Sequence, residues 1–269
     1  MISPGFIFCI LLFFSSAVSA QSSLVWSDEF NYQGLPDSTK WVYESGYVRN
    51  NELQYYKSAS LDNSFVKGGV LTIRALSHVD NQNWWGKLFG SNNFFPVTSA
   101  SLTTKGIASW QYGRVVMRAK LPLGKGVWPA FWTLGDNITS VRWPKSGEID
   151  IMEYVGSSPR QIHGGVHFFD YKKNTKSKLT PVKGENLFTD TPGEFHIYEI
   201  EWDDKEIRFI FDGQQWKTFD IDIAGDLNNP FHKAHFLIVN LAIGGSWAGQ
   251  PEDDLYPADY VIDYIRVYQ

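Results

Sequence analysis

Apolar and polar positions alternate with a period of two along several stretches of the chain, the pattern of strands with one face buried. The alternation is clear over 113–121, 195–202 and 259–268. In the last of these, Tyr260, Ile262 and Tyr264 fall on one face and Val261, Ile265 and Val267 on the other. Asp212 and Gly213 separate two such runs and predict a hairpin, because both central positions of a tight primed turn take positive φ. There is no heptad, fixed-period repeat or low-complexity tract, and turn residues recur throughout. These features predict an all-β fold, a two-sheet antiparallel β-sandwich with jelly-roll topology, favoured over a parallel α/β arrangement and with a barrel as the alternative. Residues 80–96 break the alternation with Asn, Gly and aromatics, among them Trp84 and Trp85. That stretch predicts a long loop, either functional or a lid packed on the core.

Composition narrows this picture. The 269 residues are 43% hydrophobic and 20% charged, enough for one substantial core and a single domain. Eleven Trp, thirteen Tyr and nineteen Phe against three Met suit strands and stacking surfaces better than a helical bundle. A net charge of −5 offers no basic field for phosphates, so nucleic acid is excluded as a partner and a neutral ligand is favoured. Residues 6–14 are almost wholly apolar and are followed by small residues ending in Val18-Ser19-Ala20, which predicts a signal peptide over 1–20 and a mature domain over 21–269. The run is shorter than the roughly 20 residues of a membrane-spanning helix, so no span is expected and the mature chain is placed outside the cell or in a periplasm. The single cysteine, Cys9, lies in the leader, which leaves the mature chain without disulfides or thiol chemistry.

The most informative stretch is Glu148-Ile149-Asp150-Ile151-Met152-Glu153, where three acids punctuate a β-branched apolar run. On a regular strand Glu148 and Asp150 share a face and Glu153 points to the other. A bulge at Ile151-Met152 reverses that and sets all three carboxylates on one face. Two carboxylates on one concave face suit glycosidic cleavage, one attacking the anomeric carbon and the other protonating the departing oxygen. The intervening Asp150 crowds negative charge and raises one partner's pKa, with Glu153 the candidate acid. The alternative is a solvated strand face carrying its acids outward.

With these acids come Trp26-Ser27-Asp28-Glu29-Phe30, Asn50-Asn51-Glu52-Leu53-Gln54-Tyr55-Tyr56, Tyr112-Gly113-Arg114, Gly126-Val127-Trp128-Pro129-Ala130-Phe131-Trp132 and Asp263-Tyr264-Ile265-Arg266-Val267-Tyr268. Over most of the mature chain this set resembles glycoside hydrolase family 16, in its laminarinase-like, bulge-containing branch. The resemblance implies a jelly roll with a concave sugar cleft and cleavage of β-1,3-glucan. Glu148 would be the nucleophile, Asp150 its hydrogen-bonding assistant and Glu153 the general acid/base. It also implies a structural calcium with Glu29, the Gly69 carbonyl and Asp263 as candidate ligands, oxygen donors being suited to calcium, and no cofactor for catalysis. Two departures, Ala248 where proline is common and a long 80–96 loop, bear on substrate fit.

Among the remaining groups, Trp128 and Trp132 lie four apart in a strand and so share a face, where indoles can stack on sugar rings; packing accounts for such residues equally well. Trp247, in a Gly-flanked segment, is a similar case. Arg114, Asn50 and Glu52 are candidates for binding sugar hydroxyls, with an exposed polar loop as the alternative. His163 and His167 are roughly 13 Å apart on a strand and cannot chelate one ion together. His167 either lines the cleft, as the resemblance implies, or is a hydrogen-bonded structural histidine. Gly244-Gly245-Ser246-Trp247-Ala248 lacks the final glycine and the strand-turn-helix setting of a nucleophile elbow, and no phosphate loop is present. Asn137-Ile138-Thr139 is a glycosylation sequon, relevant only in a host that uses it. The expectation is a monomeric, secreted, endo-acting retaining β-1,3-glucanase. Its alternatives are a hydrolase of a galactan or mixed-linkage glucan, a transglycosylase, or a non-catalytic carbohydrate-binding module.

Overall fold

The computed structural model describes residues 22–78, 96–179, 182–183, 193–225 and 228–269. The leader read at 1–20, and all of the 80–96 loop but Pro96, lie outside the described residues. Among the described residues no helix is long and apolar enough to cross a membrane.

Two sheets form a sandwich, as the alternation requires. The ten-stranded sheet runs Gln214–Asp220, Glu206–Phe211, Phe195–Trp202, Gly113–Lys120, Ala258–Tyr268, Val70–Ser77, Val97–Ser99 and Tyr55–Tyr56, with Leu24–Asp28 pairing on Ala258–Tyr268 and Ser64–Lys67 on Val70–Ser77. The eight-stranded sheet runs Thr175–Leu179, Ile162–Asp170, Glu148–Glu153, Val127–Gly135, His235–Ile243, Ser101–Thr103 and Val42–Tyr43, with Val182–Lys183 on Ile162–Asp170. Hairpin-connected neighbours alternate with long crossovers, such as Gly113–Lys120 beside Phe195–Trp202 and Val127–Gly135 beside His235–Ile243, and pairing is almost all antiparallel, as in a jelly roll; Tyr55–Tyr56 against Val97–Ser99 is parallel. The predicted hairpin forms between Glu206–Phe211 and Gln214–Asp220, with Asp212 and Gly213 at φ 46° and 75°.

The core lies between the sheets and is continuous. Phe131, Phe209, Leu71 and Ile73 are among its fully buried members. Each such side chain contributes about 1.5–3 kcal/mol by burial, so two of them match the about 2–4 kcal/mol a disulfide supplies. A sandwich of this size therefore holds without one. Along Ala258–Tyr268 the two faces first read from simple alternation are corrected: Ile262 pairs with Ala119 and Tyr264 with Arg118, so Asp263 is an extra residue. That bulge turns Tyr260, Ile262, Ile265 and Val267 all into the core and leaves Tyr264 outside it.

On the eight-stranded sheet the same alternation has a second consequence. Phe131, Ile149, Val166, Val239 and Leu241 point into the core. Their neighbours Trp128, Ala130, Trp132 and Leu134, with Phe236, Ile238 and Ala242, point away from it and form two smaller apolar clusters on the outer face. That outer face floors the cleft described next.

Candidate active site

Glu148–Glu153 is the strand that carries the acids, and its register shows how they come to one face. Asp150 pairs with Trp132 and Glu153 with Ala130, but Met152 pairs with Phe131, so Ile151 is the extra residue. Against Ile162–Asp170, the four residues from Asp150 to Glu153 oppose the three from Gly165 to His163. The bulge resets the period, so Glu148, Asp150 and Glu153 all lie beside cleft-facing partners while Ile149, Ile151 and Met152 stay in the core.

These acids sit in a cavity of about 630 Å³ that also takes in Trp128, Trp132, Trp143, Trp247 and His167. Trp143 donates its Nε1–H to Glu148 Oε2 at 3.0 Å, and Trp128 donates to Glu153 Oε1 at 3.1 Å. His167 Nε2 lies 3.2 Å from Asp150 Oδ2 and 3.6 Å from Glu148 Oε1. The first contact is close but not aligned as a hydrogen bond, and Asp150 Oδ2, fully enclosed, accepts none from the described residues. Burial raises all three acids, Glu148, Asp150 and Glu153, to about 8. The charge of Asp150 adds to this at both glutamates, and Glu148 also senses Glu153. Three carboxyls this close cannot all ionise near neutrality, and the protons belong to the cluster rather than to one residue.

A polar network braces the cleft floor on one side. Trp132 donates Nε1–H to Asn240 Oδ1 at 2.8 Å, and Asn240 donates to Tyr56 Oη at 3.0 Å. The Tyr56 hydroxyl donates to Glu52 Oε2 at 3.3 Å, which also accepts from Gln54 at 2.7 Å. Asn50 donates to the other oxygen of Glu52 at 3.1 Å, and burial raises the Glu52 pKa. The guanidinium of Arg49 lies 4.9 Å from the Trp132 ring centroid and pairs with Glu44. The wall thus offers hydrogen-bonding groups and indole faces together, the combination that sugar rings take.

Of the residues singled out in the sequence, the structure brings Glu148, Asp150, Glu153, Asn50, Glu52, Trp128, Trp132, His167 and Trp247 to this cavity. Arg114 is a correction. It lies on the ten-stranded sheet, where its guanidinium grips Glu199 through Nε at 2.7 Å and Nη2 at 2.6 Å and stacks on Tyr268. It is in a strand rather than an exposed loop, and a period of two does not name which of two sheets holds a strand. His163 is buried under Trp247, ring centroids 4.7 Å apart, and burial lowers its pKa. The calcium ligands implied by resemblance do not fit a cation as placed: Glu29 receives Arg266 through both oxygens at 2.9 and 2.7 Å, and Asp263 Oδ2 is 2.6 Å from Arg118 Nη1. Arg49, Trp143, Lys178 and Asn240 line the cavity without having been singled out. Asn240, the one amide in the apolar run of His235–Ile243, carried a legible signal; Arg49 and Trp143 lie in loops, where no period exists to place them.

A jelly roll whose outer sheet face gathers three acids and four indoles defines a carbohydrate-cleaving enzyme. The family model of glycosyl hydrolases family 16 matches residues 44–266, and the chain belongs to that family. The beta-glucanase of Rhodothermus marinus is 43% identical over 258 residues, covering 91% of this chain and 85% of the relative. The glucan endo-1,3-beta-glucosidase of Cryptopygus antarcticus is 37% identical and covers 97% of each chain. Among solved structures, the laminarinase from Rhodothermus marinus superposes with a TM-score of 0.77 at 40% identity, covering 93% of this chain and 98% of that one. SCLam, a non-specific endo-β-1,3(4)-glucanase, gives 0.78 at 36% identity, with 94% and 93% covered. The chain is a glycoside hydrolase of the endo-β-glucanase type.

Proposed function

We propose that the protein is an endo-acting β-1,3-glucanase that retains anomeric configuration, with Glu148 as nucleophile and Glu153 as general acid/base. The observation that carries the assignment is the bulge at Ile151, which sets both glutamates on the cleft face with Asp150 between them. In the first step Glu148 attacks the anomeric carbon while Glu153 delivers a proton to the departing glycosidic oxygen. In the second, Glu153, now a carboxylate, takes a proton from water, and that water displaces Glu148 from the sugar. The Trp143 indole N–H on Glu148 stabilises the anionic nucleophile. Asp150, pressed against the same centre, keeps the pair from losing both protons at once. Trp128, Trp132, Trp247, His167, Asn50 and Glu52 bind the sugar chain in this reading.

Tolerance of mixed-linkage glucan is a second reading, favoured by the likeness to SCLam over nearly the whole chain. Galactan cleavage is weighed by the keratan-sulfate endo-1,4-beta-galactosidase of Sphingobacterium multivorum, 30% identical. Export after removal of residues 1–20 belongs to the proposal and rests on the apolar run and the small residues before Gln21.

Reducing-sugar release from laminarin, mixed-linkage β-glucan, agarose and κ-carrageenan, with the first-formed anomer read by proton NMR, tests the whole reading. Laminarin should be cut with β-anomer released first, and Glu148→Gln and Glu153→Gln should each lower the rate by about 10²–10⁴-fold. Release of the α-anomer first, or full activity in either variant, would refute the assignment.

A further inference from the structure

We propose that Glu148, Asp150 and His167 form a binding site for a divalent transition-metal ion, zinc in the first instance, which occupies the catalytic centre and excludes the sugar chain. The inference shares residues with the proposed function but does not depend on their catalytic roles.

The donor geometry carries it. One ligand atom from each of the three residues lies within 4.8 Å of the other two. Zinc bound tetrahedrally to nitrogen and oxygen at 2.0–2.2 Å needs donors about 3.3–3.6 Å apart. His167 Nε2 stands 3.2 Å from Asp150 Oδ2 and 3.6 Å from Glu148 Oε1, so two of the three edges already have that length. The third closes with a small turn of the Glu148 side chain, which is partly exposed to the cleft.

A second observation points the same way. Asp150 Oδ2 is enclosed, faces this centre and accepts no hydrogen bond from the described residues. A buried acceptor in that state gains more from a cation than a solvated one does. Glu148 is held from behind, its Oε2 accepting from Trp143 Nε1 while Oε1 turns toward His167, the outer-shell arrangement that orients a metal ligand. One imidazole and two carboxylates suit zinc or manganese by donor type and neutralise a dication. The fourth position opens on the cavity, where a water would complete the tetrahedron and where a sugar ring must otherwise sit.

Isothermal titration calorimetry of the full chain with zinc chloride tests this, alongside Glu148→Gln, Asp150→Asn and His167→Gln, each checked for native folding by circular dichroism. One zinc per chain is expected, with affinity weakened roughly tenfold or more in each folded variant. Laminari-oligosaccharide should compete with zinc, and zinc should suppress laminarin hydrolysis until EDTA removes it. Absence of zinc binding, equal binding by wild type and every folded variant, or zinc and oligosaccharide bound together would overturn the proposal. A chain that cuts no laminarin would defeat the functional reading alone, since the calorimetric titration decides the metal site either way.

Discussion

Asp150 is the residue whose environment is hardest to sustain, and this makes it a handle on stability. Its carboxyl titrates near about 3.9 in an unfolded chain, and burial raises it to about 8 in the fold. The folded state therefore binds that proton more tightly. The associated stability is fully present below about pH 4 and declines as pH rises from there through 8. Asp150→Asn removes the penalty, so the variant should melt a few degrees above wild type at pH 9 and close to it at pH 4. Calorimetric scans at the two pH values check this, and a pH-independent difference would refute the burial argument. At Glu153 the indole of Trp128 works the other way, its N–H favouring the ionised form. Trp128→Phe keeps the ring and loses the donor, so the alkaline limb of kcat/KM on laminarin should move to higher pH. At this scale the acids were legible because charges inside a β-branched run demand a reason, and Trp128 and Trp132 because four residues along a strand is an even step. Arg114 was misplaced because parity does not name the sheet, and Trp143 was passed over because loops have no parity.

At the scale of elements, one inserted residue decides where the acids point. Deleting Ile151 alone would leave Met152 opposite Phe131 and Glu153 opposite Ala130, whereas deleting Ile151 and Met152 together moves Glu153 opposite Phe131 and toward the core, a buried charge without a partner. Loss of laminarin hydrolysis together with a large drop in melting temperature is expected for the double deletion; a stable, active double-deletion variant would mean that the register of this strand does not set the acid face. The hairpin at Asp212-Gly213 is a milder case. A Cβ at Gly213 meets no atom within 4 Å, so only its φ of 75° resists substitution. Gly213→Ala should cost about 1 kcal/mol, seen as a fall of about 2–4 °C in melting temperature. Strands such as Phe195–Trp202 were readable from the sequence because each buries one face only. The bulge at Asp263 was not, because nothing in a string of alternating residues announces that the partner strand skips one. The bulge at Ile151 was anticipated only because its three acids needed a common face.

Over the whole molecule, chemistry and support are separated by layer. The outer side of the ten-stranded sheet carries arginine–carboxylate pairs, Arg74 with Asp259, Arg114 with Glu199 and Arg266 with Glu29 among them. The Arg74–Asp259 and Arg266–Glu29 pairs are exposed by about a third and such pairs are worth about 0–1 kcal/mol each, so they contribute modestly and the shared core supplies most of the stability. The outer side of the eight-stranded sheet carries the cleft, and every strand there serves two masters. Along Val127–Gly135 the odd-numbered residues face the core and the even-numbered ones floor the cleft. Tolerance to substitution should therefore oscillate residue by residue. Changes at Phe131 and Thr133 should appear as lost yield of folded protein, and those at Ala130 and Trp132 as altered turnover of protein that still folds. Selection acting on one polysaccharide rather than another could rewrite the even positions while leaving the odd ones still, so that a single strand would record two independent histories in alternating letters.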